Sequence, residues 1–223
     1  MEKKIRIAPS LLAADFKNLD KEIKRVIKAK ANWLHLDVMD GHFVDNISFG
    51  MPILNSIQSY PIFKDVHLMI ENPLKYINQF LDLNADLITF HIEALKFKKN
   101  VKELISIIHE YNVAVGIALK PETPLSTILP YLNDIDVVLI MSVAPGFGGQ
   151  KFNETVLDKI RNLRNIIDKN KSECLIEVDG GVNSSNADAI KQAGANVLVA
   201  GSYLFKGENM KEKIKEMKKT IKK

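Results

Sequence analysis

The chain has 223 residues, of which 46% are hydrophobic and 26% charged, and its formal net charge is +4. This composition predicts one globular domain over residues 1–223, and the apolar runs are too short to span a membrane. The N-terminal residues contain no apolar signal region, so we expect a cytoplasmic protein. The single cysteine, Cys174, excludes an internal disulfide and a cysteine-cluster metal site.

Most of the positive charge lies at the C-terminus. Residues 210–223 contain seven lysines and two glutamates, so the rest of the chain is close to neutral. Met210, Ile214, Met217 and Ile221 recur at helical spacing, which predicts a closing helix with a solvated lysine face. Because no aromatic residues interleave with these lysines, we predict neither a nucleic-acid nor a membrane partner.

Strand-like apolar runs alternate with segments of helical period along the whole chain. The predicted strands cover residues 5–9, 33–39, 65–70, 87–91, 114–119, 137–143, 175–179 and 197–200. The predicted helices cover residues 16–30, 51–60, 73–83, 101–111, 125–132, 154–169, 185–192 and the C-terminal tail. This order indicates a parallel sheet. Eight such units favour an α/β fold of the closed (β/α)8 TIM-barrel type over the alternative, an open doubly wound sheet.

The second predicted strand carries unusual polar residues. It reads W-L-H-L-D-V-M, and because alternate residues of a strand share a face, His35, Asp37 and Met39 point the same way. Burying a carboxylate costs roughly several kcal/mol unless a metal, a partner or a substrate compensates it. A buried ion pair or a hydrogen-bonded core histidine is the alternative interpretation of this strand alone.

Two more predicted strands end in the same kind of residue. The third carries His67, and the seventh carries Asp179. Catalytic residues of a (β/α)8 barrel lie at the carboxyl ends of its strands, so these side chains should converge with His35 and Asp37 at one mouth. Two imidazoles and two carboxylates suit a divalent ion such as Zn, Mn, Fe or Co. A buried His–Asp ladder without metal is the alternative.

Glycines follow the last three predicted strands. They form the groups Gly146-Phe147-Gly148-Gly149, Gly180-Gly181 and Gly201-Ser202. Glycine lets backbone amides approach an anion closely, and a following helix N-terminus adds a favourable dipole. Phosphate sites in this barrel are commonly built from the last loops and a short extra helix. The three groups together therefore predict phosphate binding.

Five sequence blocks resemble the ribulose-phosphate 3-epimerase family. They are, in chain order, I-A-P-S-L-L-A-A-D-F, H-L-D-V-M-D-G-H-F-V-D-N, D-V-H-L-M-I-E-N-P, M-S-V-A-P-G-F-G-G-Q-K-F and V-D-G-G-V-N, and the resemblance extends from Ile7 to about Phe205. The resemblance implies a ribulose-phosphate-binding barrel with one divalent metal ion per subunit. It also implies interconversion of D-ribulose 5-phosphate and D-xylulose 5-phosphate in the non-oxidative pentose phosphate pathway.

The resemblance also implies roles for individual residues. The metal ligands would be His35, Asp37, His67 and Asp179, and the catalytic acid–base pair would be Asp37 and Asp179. The substrate-binding residues would be Ser10, His67, Gly146, Phe147, Gly148, Gly149, Asp179, Gly180, Gly181, Gly201 and Ser202. Ala144 departs from the family, where this position is often larger and polar, and the departure affects only local loop packing.

Epimerisation at C3 explains why two carboxylates are needed. A proton next to the carbonyl is removed, a cis-enediolate forms, and a proton returns to the opposite face. Asp37 and Asp179, on strands well apart around the barrel, can serve the two faces as a coupled pair. Met39, Met69 and Met141 would line the planar intermediate with polarisable apolar atoms, and ordinary core packing is the alternative for each.

Several further expectations complete the prediction. His91 ends the fourth predicted strand, and we expect it to hydrogen bond to the site; for Glu177 we expect a core ion pair. A 3-epimerase of a six-carbon ketose phosphate, such as allulose 6-phosphate, and a non-catalytic sugar-phosphate binding protein are the alternative functions. A barrel lyase or decarboxylase would place a lysine among the carboxylates, and the strand ends that bear them offer none. We expect a homo-oligomer, either a dimer or a hexamer.

Overall fold

The computed structural model describes residues 4–219. Within that range, strands and helices alternate. The strands are β1 (Arg6–Pro9), β2 (Trp33–Met39), β3 (Phe63–Met69), β4 (Leu87–His91), β5 (Ala114–Leu119), β6 (Val137–Met141), β7 (Leu175–Asp179) and β8 (Val197–Ala200). The helices are α1 (Leu19–Lys28), α2 (Met51–Ile57), α3 (Pro73–Leu81), α4 (Lys98–Glu110), α5 (Val156–Lys169), α6 (Ser184–Ala193), α7 (Ser202–Phe205) and α8 (Met210–Lys218).

The strands form one parallel sheet that curls into a barrel. Their order in the sheet is β1-β8-β7-β6-β5-β4-β3-β2, and an isolated parallel bridge between Ser10 and His35 joins the two ends. The predicted (β/α)8 barrel is therefore confirmed. No helix among residues 4–219 has the length and hydropathy that crossing a bilayer requires. Organisation of residues 1–223 as a single domain stays a prediction, and Ile221 of the predicted closing helix lies outside the described residues.

One predicted helix is wrong. Residues 125–132 form two short 3-10 turns, Leu125–Thr127 and Leu129–Tyr131, instead of an α-helix. The reason is Pro130, because a proline inside an α-helix lacks an N–H donor and its ring clashes with the preceding turn. The apolar spacing of this segment is helical, but its buried residues, among them Ile128 and Tyr131, reach the core from the 3-10 turns. The unit after β5 therefore has no α-helix.

The inside of the barrel is layered. Trp33, Leu87, Val137 and Val197, each the first residue of its strand, form an apolar cluster with Ala8 and Val199 inside the barrel. Polar side chains occupy the next positions on the inward faces, and Met39 and Met69 pack with Val44 above them. The outward faces of the strands pack against the helices in the main hydrophobic core. The polar layer is thus closed to water from below, and it faces the carboxyl ends of the strands.

Gly116 marks the tightest point of the interior. It lies in β5 opposite Thr89 of β4, whose side chain is fully buried. A Cβ atom at position 116 would lie 2.2 Å from Thr89 Oγ1 and 2.9 Å from Thr89 Cβ. Interiors this dense cannot absorb an added methyl group without moving backbone or side chains.

We therefore expect Gly116→Ala to lower the free energy of unfolding by about 1–3 kcal/mol, the usual cost of overpacking. Urea denaturation followed by circular dichroism measures it. Gly148→Ala is the matched control, since nothing lies within 4 Å of a Cβ atom there. Equal stability of Gly116→Ala and the unsubstituted chain would contradict this picture of the interior.

Candidate active site

The structure brings the four predicted ligand residues together. His35, Asp37, His67 and Asp179 each offer one nitrogen or oxygen atom, and these atoms all lie within 4.8 Å of one another. The strand register explains this convergence. Asp37 of β2 pairs with His67 of β3, His35 lies two residues earlier on the same face of β2, and Asp179 ends β7.

A carboxylate on the neighbouring strand orients His35. Its Nδ1 lies 2.6 Å from Asp65 Oδ2, and its Nε2 lies 3.3 Å from Asp37 Oδ1. Because Asp65 accepts the Nδ1 proton, the neutral form of His35 has its lone pair on Nε2, and this buried atom has no hydrogen-bond partner among the described residues. The sequence prediction assigned no role to Asp65, although it stands opposite His35 in the strand register.

A second histidine holds His67. The Nδ1 of His67 lies 3.3 Å from Asp37 Oδ1, and its Nε2 lies 2.9 Å from the Nε2 of His91. The Nδ1 of His91 in turn lies 3.1 Å from Glu93 Oε2. The prediction that His91 hydrogen bonds to the site is confirmed. Sequence reasoning missed Glu93, because it follows the strand in a 3-10 turn where side-chain direction has no simple period.

Asp37 is tied to two other segments. Its Oδ2 accepts a hydrogen bond from Ser10 Oγ at 2.5 Å, and its backbone carbonyl accepts one from Ser48 Oγ. Asp40 shapes the loop after β2 through hydrogen bonds from the amides of His42, Phe43 and Glu71. The position of the Asp37 carboxylate is therefore fixed from the strand on one side and the loop on the other.

The electrostatics of the two candidate acid–base groups differ. Burial raises the pKa of Asp37, but the charge of His35 and the close contacts with the His35 and His67 rings outweigh burial and hold that pKa well below its usual value. Burial, followed by the charge of Asp37, raises the pKa of Asp179 to about 6. Two carboxyl groups whose pKa values are pushed apart can divide the roles of base and acid.

The electrostatics of the cluster favour a positive charge between His35, His67 and Asp37. Burial lowers the pKa of His35, but the charges of Asp65 and Asp37 outweigh burial and keep the pKa well above its usual value. Nε2 of His35 and Nδ1 of His67 both approach Asp37 Oδ1 at 3.3 Å. Lone pairs and carboxylate oxygens repel one another at such distances unless a cation lies among them. The donor set therefore fits a divalent metal ion.

Glu177 lies one layer deeper. It is fully buried, and its Oε1 lies 3.6 Å from His35 Nδ1. Burial, followed by the charge of Asp65, raises the pKa of Glu177 well above its usual value. A neutral carboxyl group is therefore favoured there, instead of the charged partner that the predicted core ion pair requires.

A cavity of about 770 Å³ opens above the cluster. Its walls include Asp37, Asp179 and the three predicted methionines, Met39, Met69 and Met141. They also include the other predicted substrate-binding residues except His67, namely Ser10, Gly146, Phe147, Gly148, Gly149, Gly180, Gly181, Gly201 and Ser202. His67 is fully buried and is not part of the wall, so its position does not support the predicted contact with substrate.

Glycine is required where the loops after β6 and β7 meet. Gly181 has φ +63°, and a Cβ atom there would lie 2.3 Å from the backbone nitrogen of Phe152. Gly180 accepts a hydrogen bond from Ser142 Oγ at 2.6 Å through its carbonyl. Beyond them α6 begins with Asn183, whose side chain accepts a hydrogen bond from Ser185 N. These loops thus place α6 with its N-terminal end at the cavity.

The loop after β2 crosses to the loop after β6. Asn46 Nδ2 donates to the carbonyl of Gly146 at 2.7 Å, and Val44 packs within 3.2 Å of where a Cβ atom at Gly146 would lie. Asn46 also lines the cavity, and sequence reasoning did not select it. A half-buried loop asparagine carries no periodic signal, so only the folded loop pair shows its contacts.

Fold and site together define a class: an enzyme built on a (β/α)8 barrel, with paired carboxylates at the carboxyl ends of its strands. Solved structures share the fold. A tryptophan synthase α-subunit mutant from Pyrococcus furiosus matches with TM-score 0.70 and 15% identity, covering 96% of this chain and 97% of that one. A 3-hexulose-6-phosphate synthase from Salmonella typhimurium matches with TM-score 0.67 and 15% identity, covering 96% and 97%.

Sequence comparison identifies the family. A family model described as the ribulose-phosphate 3 epimerase family matches residues 6–205. Ribulose-phosphate 3-epimerases from Bacillus subtilis and Synechocystis are each 45% identical, covering 96% of this chain and 98% and 93% of the relatives. A cytoplasmic isoform from rice is 40% identical, covering 97% and 94%. The chain belongs to the ribulose-phosphate 3-epimerase family, and it is an isomerase.

The lowered pKa of Glu93 predicts how the free energy of unfolding depends on pH. Burial raises its pKa, but hydrogen bonds to His91 and Thr123 outweigh burial and lower it from 4.5 to about 2. A lowered pKa in the folded state gives stability that is present above pH 4.5 and is lost as the pH falls toward 2. Between pH 5 and pH 3 we expect the free energy of unfolding to fall by about 2 kcal/mol more in the unsubstituted chain than in Glu93→Gln. Equal losses, measured by urea denaturation, would contradict it.

Proposed function

We propose that this protein is a metal-dependent epimerase that interconverts D-ribulose 5-phosphate and D-xylulose 5-phosphate by proton transfer at C3. One observation carries the proposal: two imidazole nitrogens and two carboxylates converge within 4.8 Å at the floor of a cavity whose rim is rich in glycine. The names of the 40–45% identical relatives support the reaction and the five-carbon substrate.

The metal ligands would be His35 Nε2, His67 Nδ1, Asp37 and Asp179. The lone pair on His35 Nε2, buried without a hydrogen-bond partner, supports this assignment. When bound, a divalent ion would supply Lewis-acid stabilisation for negative charge that develops on the C2 and C3 oxygens of the ketose. Zn, Fe, Mn and Co stay equal predictions, because this mixed donor set suits each of them.

Asp37 and Asp179 would hold the migrating proton. Asp37, with its lowered pKa, is ionised and can accept the C3 proton. Asp179, whose pKa is raised to about 6, can carry a proton close to neutral pH and deliver it to the opposite face. The roles exchange when the reaction runs in reverse. Ser10 would keep the Asp37 carboxylate in place through its 2.5 Å hydrogen bond.

The remaining cavity residues would bind and shield the substrate. The phosphate would be held by backbone amides of the glycine loops after β6, β7 and β8 and by the N-terminus of α6, where the helix dipole favours an anion. Met39, Met69 and Met141 would cover the planar enediolate with apolar atoms that do not compete for its oxygens. Asn46 would tie the covering loops together over the sugar.

Location and assembly complete the proposal. The rice relative is named as a cytoplasmic isoform, which supports the cytoplasmic location that we propose for this chain. A homo-oligomer, and the lack of nucleic-acid and membrane partners, stay predictions.

The first test follows ribulose 5-phosphate in heavy water. We expect xylulose 5-phosphate that carries deuterium at C3, loss of turnover after chelation, and recovery on adding a divalent metal. Nuclear magnetic resonance of the sugar measures the label. Turnover that survives complete metal removal would refute the metal dependence. A higher kcat/KM for allulose 6-phosphate than for ribulose 5-phosphate would favour the six-carbon alternative.

The two-base assignment has its own test in Asp37→Asn and Asp179→Asn. Each removes one acid–base group, and we expect interconversion to fall by about 10²–10⁴-fold in both. With only one face served, each variant should still exchange the C3 proton of one epimer with solvent, and the two variants should differ in which epimer exchanges. Metal content is measured in parallel, because both residues are proposed ligands. Unchanged turnover in either variant would refute the assignment.

A further inference from the structure

We propose that His91 and Glu93 are positioning residues of the metal site, which fix the tautomer of His67 so that its Nδ1 lone pair faces the metal position. This inference rests on the proposed metal-dependent function. It concerns residues that line neither the cavity nor the four-ligand cluster. The hydrogen bonds that run from Glu93 through His91 to His67 carry it.

The backbone amide of Lys120 is the first donor in this series of hydrogen bonds. Glu93 Oε1 accepts hydrogen bonds from the Lys120 amide at 2.9 Å and from the Thr123 hydroxyl. Its other oxygen, Oε2, faces the Nδ1 of His91 at 3.1 Å. An ionised carboxylate only accepts hydrogen bonds, so the proton of neutral His91 must lie on Nδ1. The Nε2 of His91 is then an acceptor.

The same argument assigns the proton position on the next ring, that of His67. The two Nε2 atoms of His91 and His67 are 2.9 Å apart, and one of them must donate. Since His91 Nε2 accepts, His67 Nε2 carries the proton and His67 Nδ1 carries the lone pair. That Nδ1 is the atom 3.3 Å from Asp37 Oδ1. His67 is thereby held in the tautomer that can ligate a cation beside Asp37.

Packing leaves these rings little freedom to rearrange. His67 and His91 are both fully buried, and Phe43 packs on His91 with ring centroids 4.8 Å apart. The segment that holds Glu93 is itself anchored, since Lys159 Nζ donates to the carbonyls of Lys120, Pro121 and Thr123. The two histidine ligands are therefore oriented differently: a carboxylate holds His35 directly, and a carboxylate holds His67 through a second imidazole.

Glu93→Gln should reverse the direction of the hydrogen bonds that link residue 93, His91 and His67. The Lys120 amide can only donate, so the Gln carbonyl oxygen must stay opposite it, and the Gln NH₂ group then faces His91 Nδ1. His91 would become a donor at Nε2, and His67 would carry its proton on Nδ1, next to Asp37. A metal ion would have to displace that proton. All four ligands remain in the chain.

The experiment measures zinc affinity of the metal-free full chain by competition with a chromophoric chelator, and the His67 tautomer by ¹⁵N nuclear magnetic resonance. We expect Glu93→Gln to weaken zinc binding by about 10- to 100-fold, the usual effect of losing a partner of a metal ligand. Its ¹⁵N spectrum should show His67 protonated at Nδ1 instead of Nε2. Glu93→Asp keeps the carboxylate and should recover part of the affinity.

Thr123→Val is the matched control. It removes a hydrogen bond to the same carboxylate but keeps the Lys120 amide and the negative charge, so the tautomer and the zinc affinity should stay close to those of the unsubstituted chain. Wild-type affinity and an unchanged His67 tautomer in Glu93→Gln would overturn the inference, as would an equal loss of affinity in Thr123→Val. Failure of the unsubstituted chain to bind any of Zn, Fe, Mn and Co would instead refute the proposed metal dependence, while the ¹⁵N spectrum would still decide the tautomer.

Discussion

A buried cluster of negative charge and imidazole lone pairs is the constraint on which this structure depends. Asp37 lies inside the barrel with two histidine nitrogens 3.3 Å from one of its oxygens, and Asp65 stands just below. Leaving such groups without compensation costs roughly several kcal/mol each. Hydrogen bonds orient His35, His67 and Asp37, so that the proposed cation would satisfy them together with Asp179. An ion bound there would therefore also stabilise the interior of the barrel.

The barrel meets this constraint by layering its interior. Apolar side chains, including Trp33 and Leu87, fill the end of the barrel that the strands enter and keep water from reaching the charged layer from below. Methionines lie above it and line the cavity that opens onto the charged layer. A dry, polarisable environment strengthens electrostatic interactions at the reacting carbon. The loops contribute polar groups, since backbone amides at their glycines are where we propose that the phosphate binds.

Much of this arrangement could be predicted from the sequence, because strand periodicity is simple. Alternation put His35 and Asp37 on one face, and the rule that barrel chemistry lies at strand ends brought His67 and Asp179 to them. The failures have equally physical causes. The helical spacing of residues 125–132 hid the effect of Pro130 on the backbone. Glu93 and Asn46 act through contacts between distant segments, which depend on loop paths and rotamers that no local pattern encodes.

The closure of the barrel has a consequence of its own. β1 and β2 are joined by one isolated bridge, between Ser10 and His35, and by hydrogen bonds between Ile7 and Asn32, while every other neighbouring pair of strands forms a regular ladder. Both bridge residues also contact Asp37, one through its hydroxyl and one through its ring. The bridge that closes the barrel therefore lies beside the candidate active site. A fluctuation that separates the first strand from the second would therefore also loosen Asp37, the carboxylate that we propose as an acid–base group.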